Sequence, residues 1–421
     1  MSLRQTQRDV ELARRGIETR VFATAAHPDQ ASPRRTTEEV QVCRDHDALG
    51  RALGEYAPDW TLTLFVPDLA ADLRAARAGA PNSRVLVECQ MSDPANLSAL
   101  LEPEILAHVD AMIVPSPSTA AFMRDVLPVP IPIGIVPNAV PDNFARPTRS
   151  DVTGDPILLW VGRFEPVKNW PMLIDIAERV LRRRRVQVWV VGGGHSDPRR
   201  QSQFIRAVER RGIAAALHWR DRVSHDDMPD VYAAVASSGG CLLSTSYSEC
   251  QSHSILEAMA ARCPVVASEV RGVIDDVRHG ETGWLFPVND ASVAADRVLD
   301  VLEGFLDRAS VVERAARYVE RFTIEASLDQ LLALLRDPNG FRWEPETLAT
   351  PRDRMLQPTR AQLVATGRTL LESMRETQDL LREVARRDET IAWLHREVAE
   401  RDAIIARLQA GPGQTTAEAP D

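Results

Sequence analysis

Short apolar runs alternate with amphipathic stretches along the first three quarters of the chain. Apolar runs at 60–66, 84–89 and 111–116 predict strands, and the stretches between them predict helices. The Pro-rich residues 126–141 predict a last strand followed by a linker. Because strands and helices alternate, the first half is predicted to be α/β, with a parallel sheet covered on both faces.

The same pattern restarts after the linker. The run "ILLWV" (157–161) predicts a strand, and residues 170–181 place apolar side chains at helical spacing. The run "VQVWVV" (186–191) predicts a second strand that leads into glycines at 192–194. Strands and helices then alternate to about residue 310. Two α/β halves joined by a Pro-rich linker predict two lobes with a ligand-binding cleft between them.

Residues 363–408 follow a heptad repeat instead. Mostly apolar residues occupy the first heptad position, namely Leu363, Leu370, Thr377, Val384, Ile391, Val398 and Ile405. The fourth position carries leucine at 380, 394 and 408, with Arg387 and Arg401 between them. This pattern predicts a parallel two-stranded coiled coil. We expect the chain to form a homodimer or to bind a protein partner through this coiled coil. The alternative is a single amphipathic helix that packs back on the two lobes.

The sequence therefore predicts five segments. They are a first lobe at 1–148, a second lobe at 149–336, a linker at 337–360, a coiled-coil helix at 361–410 and a disordered tail at 411–421.

Composition narrows the class of protein. A net charge of −10 with scattered arginines argues against nucleic acid as a partner. Five cysteines, an odd number without a CxxC pair, argue for a reducing compartment and against a zinc site or disulfides. The N-terminal residues lack the apolar stretch of a signal peptide, and no run approaches the ~20 apolar residues of a membrane span. These features predict a cytoplasmic protein, and peripheral contact with the inner face of a membrane stays an open alternative.

Two features of the second lobe suit a phosphate ligand. Lys168, the only lysine among 50 basic residues, and Arg163 flank a turn just beyond the strand 157–161. A planar guanidinium and a mobile ammonium together suit two adjacent phosphates. The glycines at 192–194 would let a ligand approach the backbone. The alternatives are a solvated basic pair and an ordinary turn.

The stretch 247–268 carries two acidic residues, Glu249 and Glu257. A helix that begins at Ser254 would place Glu257 in its first turn and Glu249 in the preceding loop. The backbone amides of 251–254 would then form an anion site. Carboxylates beside that site would repel phosphate, so we expect them to accept hydrogen bonds from hydroxyls. Alternatively, Glu257 only complements the helix dipole.

Three stretches resemble a known family: "VGRFEPVKNWPMLI", "VVGGGHSD" and "SECQSHSILEAMAARCPVVASEVRGVIDDVRHGETGWLFPVND". They are similar to the donor half of retaining glycosyltransferases of the GT-B fold, the family 4 group. The resemblance covers about 155–310 and extends more weakly through "DAMIVPSPSTAAFM" and "IVPNAVPDNF". It implies a GT-B fold, in which two Rossmann-like lobes face a cleft that binds a nucleotide-sugar donor.

The resemblance also implies roles for individual residues. Arg163 and Lys168 would hold the diphosphate and offset the charge of the leaving group. Glu257 would bind the ribose hydroxyls, and Glu249 would lie near the transferred sugar. No metal or cofactor is implied, because side chains and helix amides replace the cation. The other donor-binding residues implied are Gly192, Gly193, Val223, Ser252, His253, Ser254 and Ile255.

Two departures from the family pattern concern the sugar and the first lobe. Residues 250–253 read Cys-Gln-Ser-His where the family carries a glycine-bearing segment, so the hexose is expected to sit differently. His253 either contacts substrate or is a polar loop residue. The opening "MSLRQTQRDVELARRG" matches the end of the family's first loop and its first helix. The expectation is that the start lies upstream or that the first lobe lacks a strand.

The predicted function is transfer of a hexose, with retention, to a glycan, glycolipid or protein acceptor in bacterial surface polysaccharide or glycoconjugate synthesis. Front-side attack is the expected route, with the donor's phosphate oxygen taking the acceptor proton. The alternatives are a non-catalytic interaction protein that acts through its coiled coil and a GT-B sugar-nucleotide epimerase.

Overall fold

The computed structural model describes residues 3–24, 41–64, 69–90, 103–145, 154–194, 196–305 and 307–337. The predicted coiled coil at 361–410, the tail at 411–421 and almost all of the linker at 337–360 lie outside the described residues.

The described residues of the first lobe form two parallel sheets. Strands β1 and β2 pair with each other, and β3 to β6 form a four-stranded sheet in chain order. The strands are β1 Phe22–Thr24, β2 Gln41–Cys43, β3 Trp60–Leu64, β4 Arg84–Glu88, β5 Ala111–Val114 and β6 Ile133–Ile135. The helices are α1 Leu3–Arg14, α2 His46–Tyr56, α3 Leu69–Gly79, α4 Pro103–Leu106 and α5 Pro117–Val126. The strands predicted at 60–66, 84–89 and 111–116 are confirmed.

In the part of the second lobe that the structure describes, the strands form one six-stranded parallel sheet. Its strands are β7 Ile157–Val161, β8 Gln187–Val191, β9 Leu217–Arg220, β10 Cys241–Ser244, β11 Val265–Ser268 and β12 Trp284–Phe286. Its helices are α6 Trp170–Leu181, α7 Pro198–Arg210, α8 Met228–Ser237, α9 His253–Ala260, α10 Ala291–Leu302 and α11 Arg308–Val319. The strand order is β12-β11-β10-β7-β8-β9, so the direction of winding reverses between β10 and β7. Ligands of open α/β sheets bind at such a reversal, beyond the carboxyl ends of the strands.

The inner strands β7, β10 and β11 are buried on both faces, which explains why they are almost uniformly apolar. On β7, Leu158 and Trp160 pack in a core with α6 and α10. The alternate residues Ile157 and Leu159 pack in a second core with α8 and α9. Successive side chains of a strand point to opposite faces, so one strand supplies both cores. Helices therefore cover the sheet on both sides, as predicted.

The last described helix, α12 Ile324–Arg336, packs in the core of the first lobe. Its residues Leu328, Leu331 and Leu332 lie at helical spacing and form a buried cluster with Leu12 and residues of β4 and β5. The sequence-based boundary grouped this helix with the second lobe at 149–336, and the packing places it with the first lobe instead. The amphipathic pattern predicted the helix but not which lobe its apolar face would contact.

All five cysteines are buried free thiols. Within the described ranges, no three or more His, Cys, Asp or Glu side chains cluster in a way that could hold a metal ion. None of the described helices is both long enough and apolar enough to cross a bilayer.

Candidate active site

The turn after β7 carries the only lysine to the carboxyl edge of the second sheet. Pro166 starts a short 3-10 helix, Pro166–Lys168, and its fixed φ suits that first position. Asn169 ends the turn in the left-handed region, at φ 48° and ψ 50°, and α6 begins at the next residue. Asparagine tolerates this conformation better than most residues. The local sequence therefore fixes where Lys168 leaves the backbone.

Lys168 forms an ion pair with Glu249, which follows β10. The distance between Lys168 Nζ and Glu249 Oε1 is 2.6 Å, and the two side chains are 26% and 12% exposed. Ser246 Oγ donates to the same carboxylate oxygen at 2.6 Å. Charge-assisted hydrogen bonds in a partly buried site are stronger than those in water. The cation and the carboxylate that the sequence singled out are therefore in direct contact.

Main-chain hydrogen bonds hold the two loops together around this ion pair. Tyr247 N donates to Val167 O at 2.8 Å. Thr245 Oγ1 donates to Lys168 O at 2.9 Å and accepts a bond from Trp160 Nε1 at 3.0 Å. Because β7 and β10 are neighbours, these bonds join the loops on either side of the reversal in strand order. The positions of the ammonium and the carboxylate thus depend on the sheet itself.

Arg163, the second predicted cation, is exposed. It has no hydrogen bond or ion pair with the part of the chain that the structure describes. Its neighbour Glu165 is instead paired with Arg200. The structure thus brings Lys168 and Glu249 into contact and leaves the guanidinium of Arg163 available to a ligand.

Glu257 lies on α9 and is only 7% exposed. The helix begins at His253 rather than Ser254, so Glu257 lies beyond the first turn, and the first-turn prediction is wrong. Its partners are side chains: His225 Nε2 lies 2.9 Å from Oε1, and Tyr232 OH donates to Oε2 at 3.1 Å. Interaction with the helix dipole is therefore not what places this carboxylate.

The N-cap side chain of α9 does not bond to the amides of the helix. Ser252 occupies the N-cap position with extended backbone, but its hydroxyl makes no bond to the helix amides. That hydroxyl instead lies 3.1 Å from Ser254 Oγ. His253 is exposed, whereas the Ile255 side chain is buried in the core, so Ile255 can offer only backbone groups to a ligand. Uncapped first-turn amides suit an anion.

The segment between Glu249 and α9 is bonded to the first lobe. Gln251 Oε1 accepts from Asn138 N at 2.7 Å, and Gln251 O accepts from Asn138 Nδ2 at 2.9 Å. Thr119 Oγ1 donates to Cys250 O at 3.1 Å. Gln251 Nε2 also donates to Asp276 Oδ1 at 3.2 Å. Burial, and secondarily Asp275, raises the pKa of Asp276 to about 7.

The glycines that follow β8 are required by packing. Gly192 and Gly193 have φ values of 110° and 82°, which favour glycine. A Cβ on Gly193 would overlap the Phe164 ring, and one on Gly192 would overlap the carbonyl of Gly162. The turn therefore packs tightly against the loop after β7. Close packing explains these glycines without a ligand, and their predicted contact with a donor stays a prediction.

The sequence analysis named Val223, which is half-buried against the second core. It missed three residues of this site, namely His225, Tyr232 and Ser246. His225 and Tyr232 were missed because they lie 32 and 25 residues before Glu257, with no local pattern that links them to it. Ser246 lies three residues before Glu249, and at this spacing a serine hydroxyl can reach the carboxylate across a turn. A search for hydroxyls near the predicted acid would have found it.

Comparison with known proteins places this site in context. Residues 143–321 match the sequence model of the family described as glycosyl transferases group 1. The D-inositol 3-phosphate glycosyltransferase of Nocardia farcinica is 29% identical over 259 residues, which cover 57% of this chain and 56% of that protein. The protein of the same name from Streptomyces coelicolor is 31% identical over 207 residues, covering 46% and 44%. The chain thus spans about half the length of these relatives.

Solved structures share the fold. Sucrose-phosphate synthase from Thermosynechococcus elongatus superposes with a TM-score of 0.65 at 21% identity, covering 78% of this chain and 91% of that one. Anabaena HepE in complex with UDP-glucose gives a TM-score of 0.63 at 17% identity, covering 79% and 95%. Identities this low concern the fold alone, and they confirm the predicted GT-B architecture.

Proposed function

Because residues 143–321 match the sequence model of the glycosyl transferases group 1 family and the chain has the GT-B fold, we propose that the protein transfers a sugar from a nucleotide-diphosphate sugar to an acceptor hydroxyl. The observation that carries this proposal is the Lys168–Glu249 ion pair at the reversal in strand order. Glu249 lies on the loop before α9, whose N-cap Ser252 makes no side-chain bond to the helix amides.

The donor's diphosphate binds to positive groups in this proposal. The ammonium of Lys168 has three donor positions, and Glu249 uses one, so two remain for phosphate oxygens. The exposed Arg163 adds a planar fork without breaking an existing ion pair. The first amides of α9 supply further donors. Together these groups offset the charge that develops on the leaving diphosphate, so the reaction needs no metal ion.

The sugar contacts Glu249. Its Oε1 already accepts from Lys168 and Ser246, so Oε2 is the atom that accepts from a sugar hydroxyl. We propose front-side attack with retention. The acceptor oxygen bonds to the anomeric carbon while the bond from that carbon to the phosphate oxygen breaks. The same phosphate oxygen takes the acceptor proton, which offsets the negative charge that this oxygen gains when the bond breaks.

The proteins with related sequence or fold suggest which substrates to try first. One neighbour was solved with UDP-glucose, so a UDP-sugar is the first donor to test. We propose that the acceptor is a glycan, glycolipid or protein that is modified during the synthesis of bacterial surface polysaccharides or glycoconjugates. Residues 361–410 would join two copies, or a copy and a partner, and the cytoplasmic protein would act beside the inner membrane.

Nucleotide binding and turnover test the proposal. A nucleoside diphosphate at ~100 times its Kd should stabilise the fold by about 2.7 kcal/mol in a thermal-shift assay. The sugar donors of the nucleotide that responds are then incubated without acceptor. Slow release of free sugar as the retained anomer, followed by NMR, is expected.

A matched pair of variants assigns the reaction to this site. Glu249→Gln should lower kcat by ~100-fold or more, since the site loses its anionic acceptor. Glu313→Gln changes an exposed glutamate that pairs with Arg262 on the surface and should leave turnover unchanged. If no nucleoside diphosphate stabilises the protein, it is an interaction protein rather than a transferase. Inversion of a stereocentre of the donor's sugar, without net release of the nucleotide, would indicate an epimerase.

A further inference from the structure

Both carboxylate oxygens of Glu257 are held by donors from another part of the second lobe. His225 Nε2 lies 2.9 Å from Oε1, and Tyr232 OH donates to Oε2 at 3.1 Å. A carboxylate accepts hydrogen bonds but does not donate them, so His225 must carry its proton on Nε2 here. Neither donor belongs to α9, so the orientation of Glu257 is set by α8 and by the turn before it.

Tyr232 is the buried member of this set. It lies on α8, is fully buried and contacts the Phe144 ring at a centroid distance of 6.1 Å. Burial, and secondarily the charge of Glu257, raises the pKa of Tyr232 well above its ordinary value. The phenol therefore stays protonated and keeps donating to Glu257.

His225 is the more accessible member, with 29% of its side chain exposed. It opens the short 3-10 helix His225–Asp227, whose N-cap Ser224 accepts a bond from Asp227 N. The His225 ring lies against the ring of Phe144, with centroids 4.9 Å apart. Phe144 thus contacts both donors, and the imidazole is fixed before any ligand arrives.

Two donors occupy about half of the lone-pair positions that a carboxylate offers. The remaining positions form a pair of acceptors in a fixed plane, and such a pair matches two neighbouring hydroxyls. A glutamate without these donors would lose rotamer freedom on binding, which would weaken the affinity. Preorganisation of this kind increases the affinity only for ligands that supply the hydroxyls.

We propose that His225 and Tyr232 position Glu257 to recognise the ribose diol of the donor, and so decide between ribonucleotide and 2′-deoxyribonucleotide ligands. This inference rests on the proposed function. Neither residue touches the ligand in this account. Both act through Glu257.

The experiment measures Kd by calorimetry for UDP, ADP and GDP, each beside its 2′-deoxy form. The best ribonucleotide is expected to bind the wild type about tenfold more tightly than its 2′-deoxy form. His225→Ala should weaken ribonucleotide binding about tenfold and leave the 2′-deoxy form almost unchanged. His225→Gln, whose amide can place an N–H near the same point, should restore most of the discrimination.

Three further variants complete the design. Tyr232→Phe keeps the buried ring and should also reduce discrimination, with its fold checked by circular dichroism. In a Glu257→Gln background, His225→Ala should add no further loss, because both changes act on one contact. His218→Ala alters a histidine on β9 outside this set and should change neither Kd.

The outcomes separate the two proposals. Equal losses for the ribo and deoxy ligands, or no loss at all, would overturn the positioning role of His225 while the donor site itself stands. A wild type that binds none of these nucleotides would overturn the proposed function and this inference together.

Discussion

Replacing Lys168 by methionine tests the electrostatic centre of the site. Methionine keeps most of the apolar stem and removes the ammonium, which leaves Ser246 as the remaining donor to Glu249 Oε1. The two charged side chains are 26% and 12% exposed, between a surface pair and a buried one. Exposed pairs contribute ~0–1 kcal/mol and breaking a buried pair costs ~3–5 kcal/mol. We expect Lys168→Met to lower the free energy of unfolding by about 1–2 kcal/mol.

The effect on ligand binding should be larger than the effect on stability. Two donor positions of the ammonium are left for phosphate oxygens, and a hydrogen bond to a charged group contributes ~1.5–3 kcal/mol. Losing one such bond raises the Kd for UDP by ~10–150-fold. Glu249 would then face the diphosphate without a neighbouring cation, which adds repulsion. Lys168→Arg keeps the charge but not the compact shape, so we expect a smaller loss.

Calorimetry with UDP and thermal unfolding measure the two effects on the same preparations. The control is Arg183→Met, which removes an exposed cation that pairs with Asp296 beyond the C-terminal end of α6, the end opposite this loop. That variant should bind UDP as the wild type does. If Lys168→Met loses stability as expected and still binds UDP with wild-type affinity, the ion pair is structural and the diphosphate does not lie beside it.

Three other predictions follow from the packing and from the sequence. Asp276 has its pKa raised to about 7 by burial, so the folded state binds a proton that the unfolded carboxyl releases near pH 4. The free energy of unfolding should therefore fall as the pH rises from about 4 to 7, and Asp276→Asn should flatten that slope in denaturant titrations. An unchanged slope would mean that the pH dependence of the free energy of unfolding arises from another titratable group. Gly193→Ala should cost more stability than Gly212→Ala, by about 1–3 kcal/mol, because both have positive φ but only the first Cβ meets Phe164; equal losses in chemical denaturation would contradict the packing account. Deleting 361–421 should halve the particle mass in light scattering and spare UDP binding, and an unchanged mass would count against the coiled-coil dimer.

The elements of the second lobe could be predicted closely because each apolar run belongs to a strand buried on both faces. The strand at 157–161 and the helix at 170–181 have the predicted bounds. The start of α9 could not be predicted to the residue, since Ser252, His253 and Ser254 are all polar and only their backbone angles decide which residue is the cap. An error of one residue there moved Glu257 out of the first turn.

Contacts between distant segments were the part that the sequence did not specify. The pairing of Lys168 with Glu249 spans 81 residues and depends on β7 and β10 being neighbours. Sequence reasoning placed both residues in one site but did not predict that they touch. The partners of Glu257 were missed entirely, because a side chain's hydrogen bonds depend on tertiary packing rather than on local pattern.

The segment after Glu249 departs from the pattern of the family that the sequence resembles, and it also bonds the two lobes together. Gln251 bonds Asn138 through both its side chain and its backbone carbonyl, and Cys250 accepts from Thr119. Asn138 and Thr119 belong to the first lobe, whereas Glu249 and α9 belong to the second. A motion that draws the lobes apart at Asn138 must break these bonds or carry the segment with it. Either outcome acts on the residues between Glu249 and the N-terminus of α9, so the proposed sugar site and the contact between the lobes are built from the same few residues.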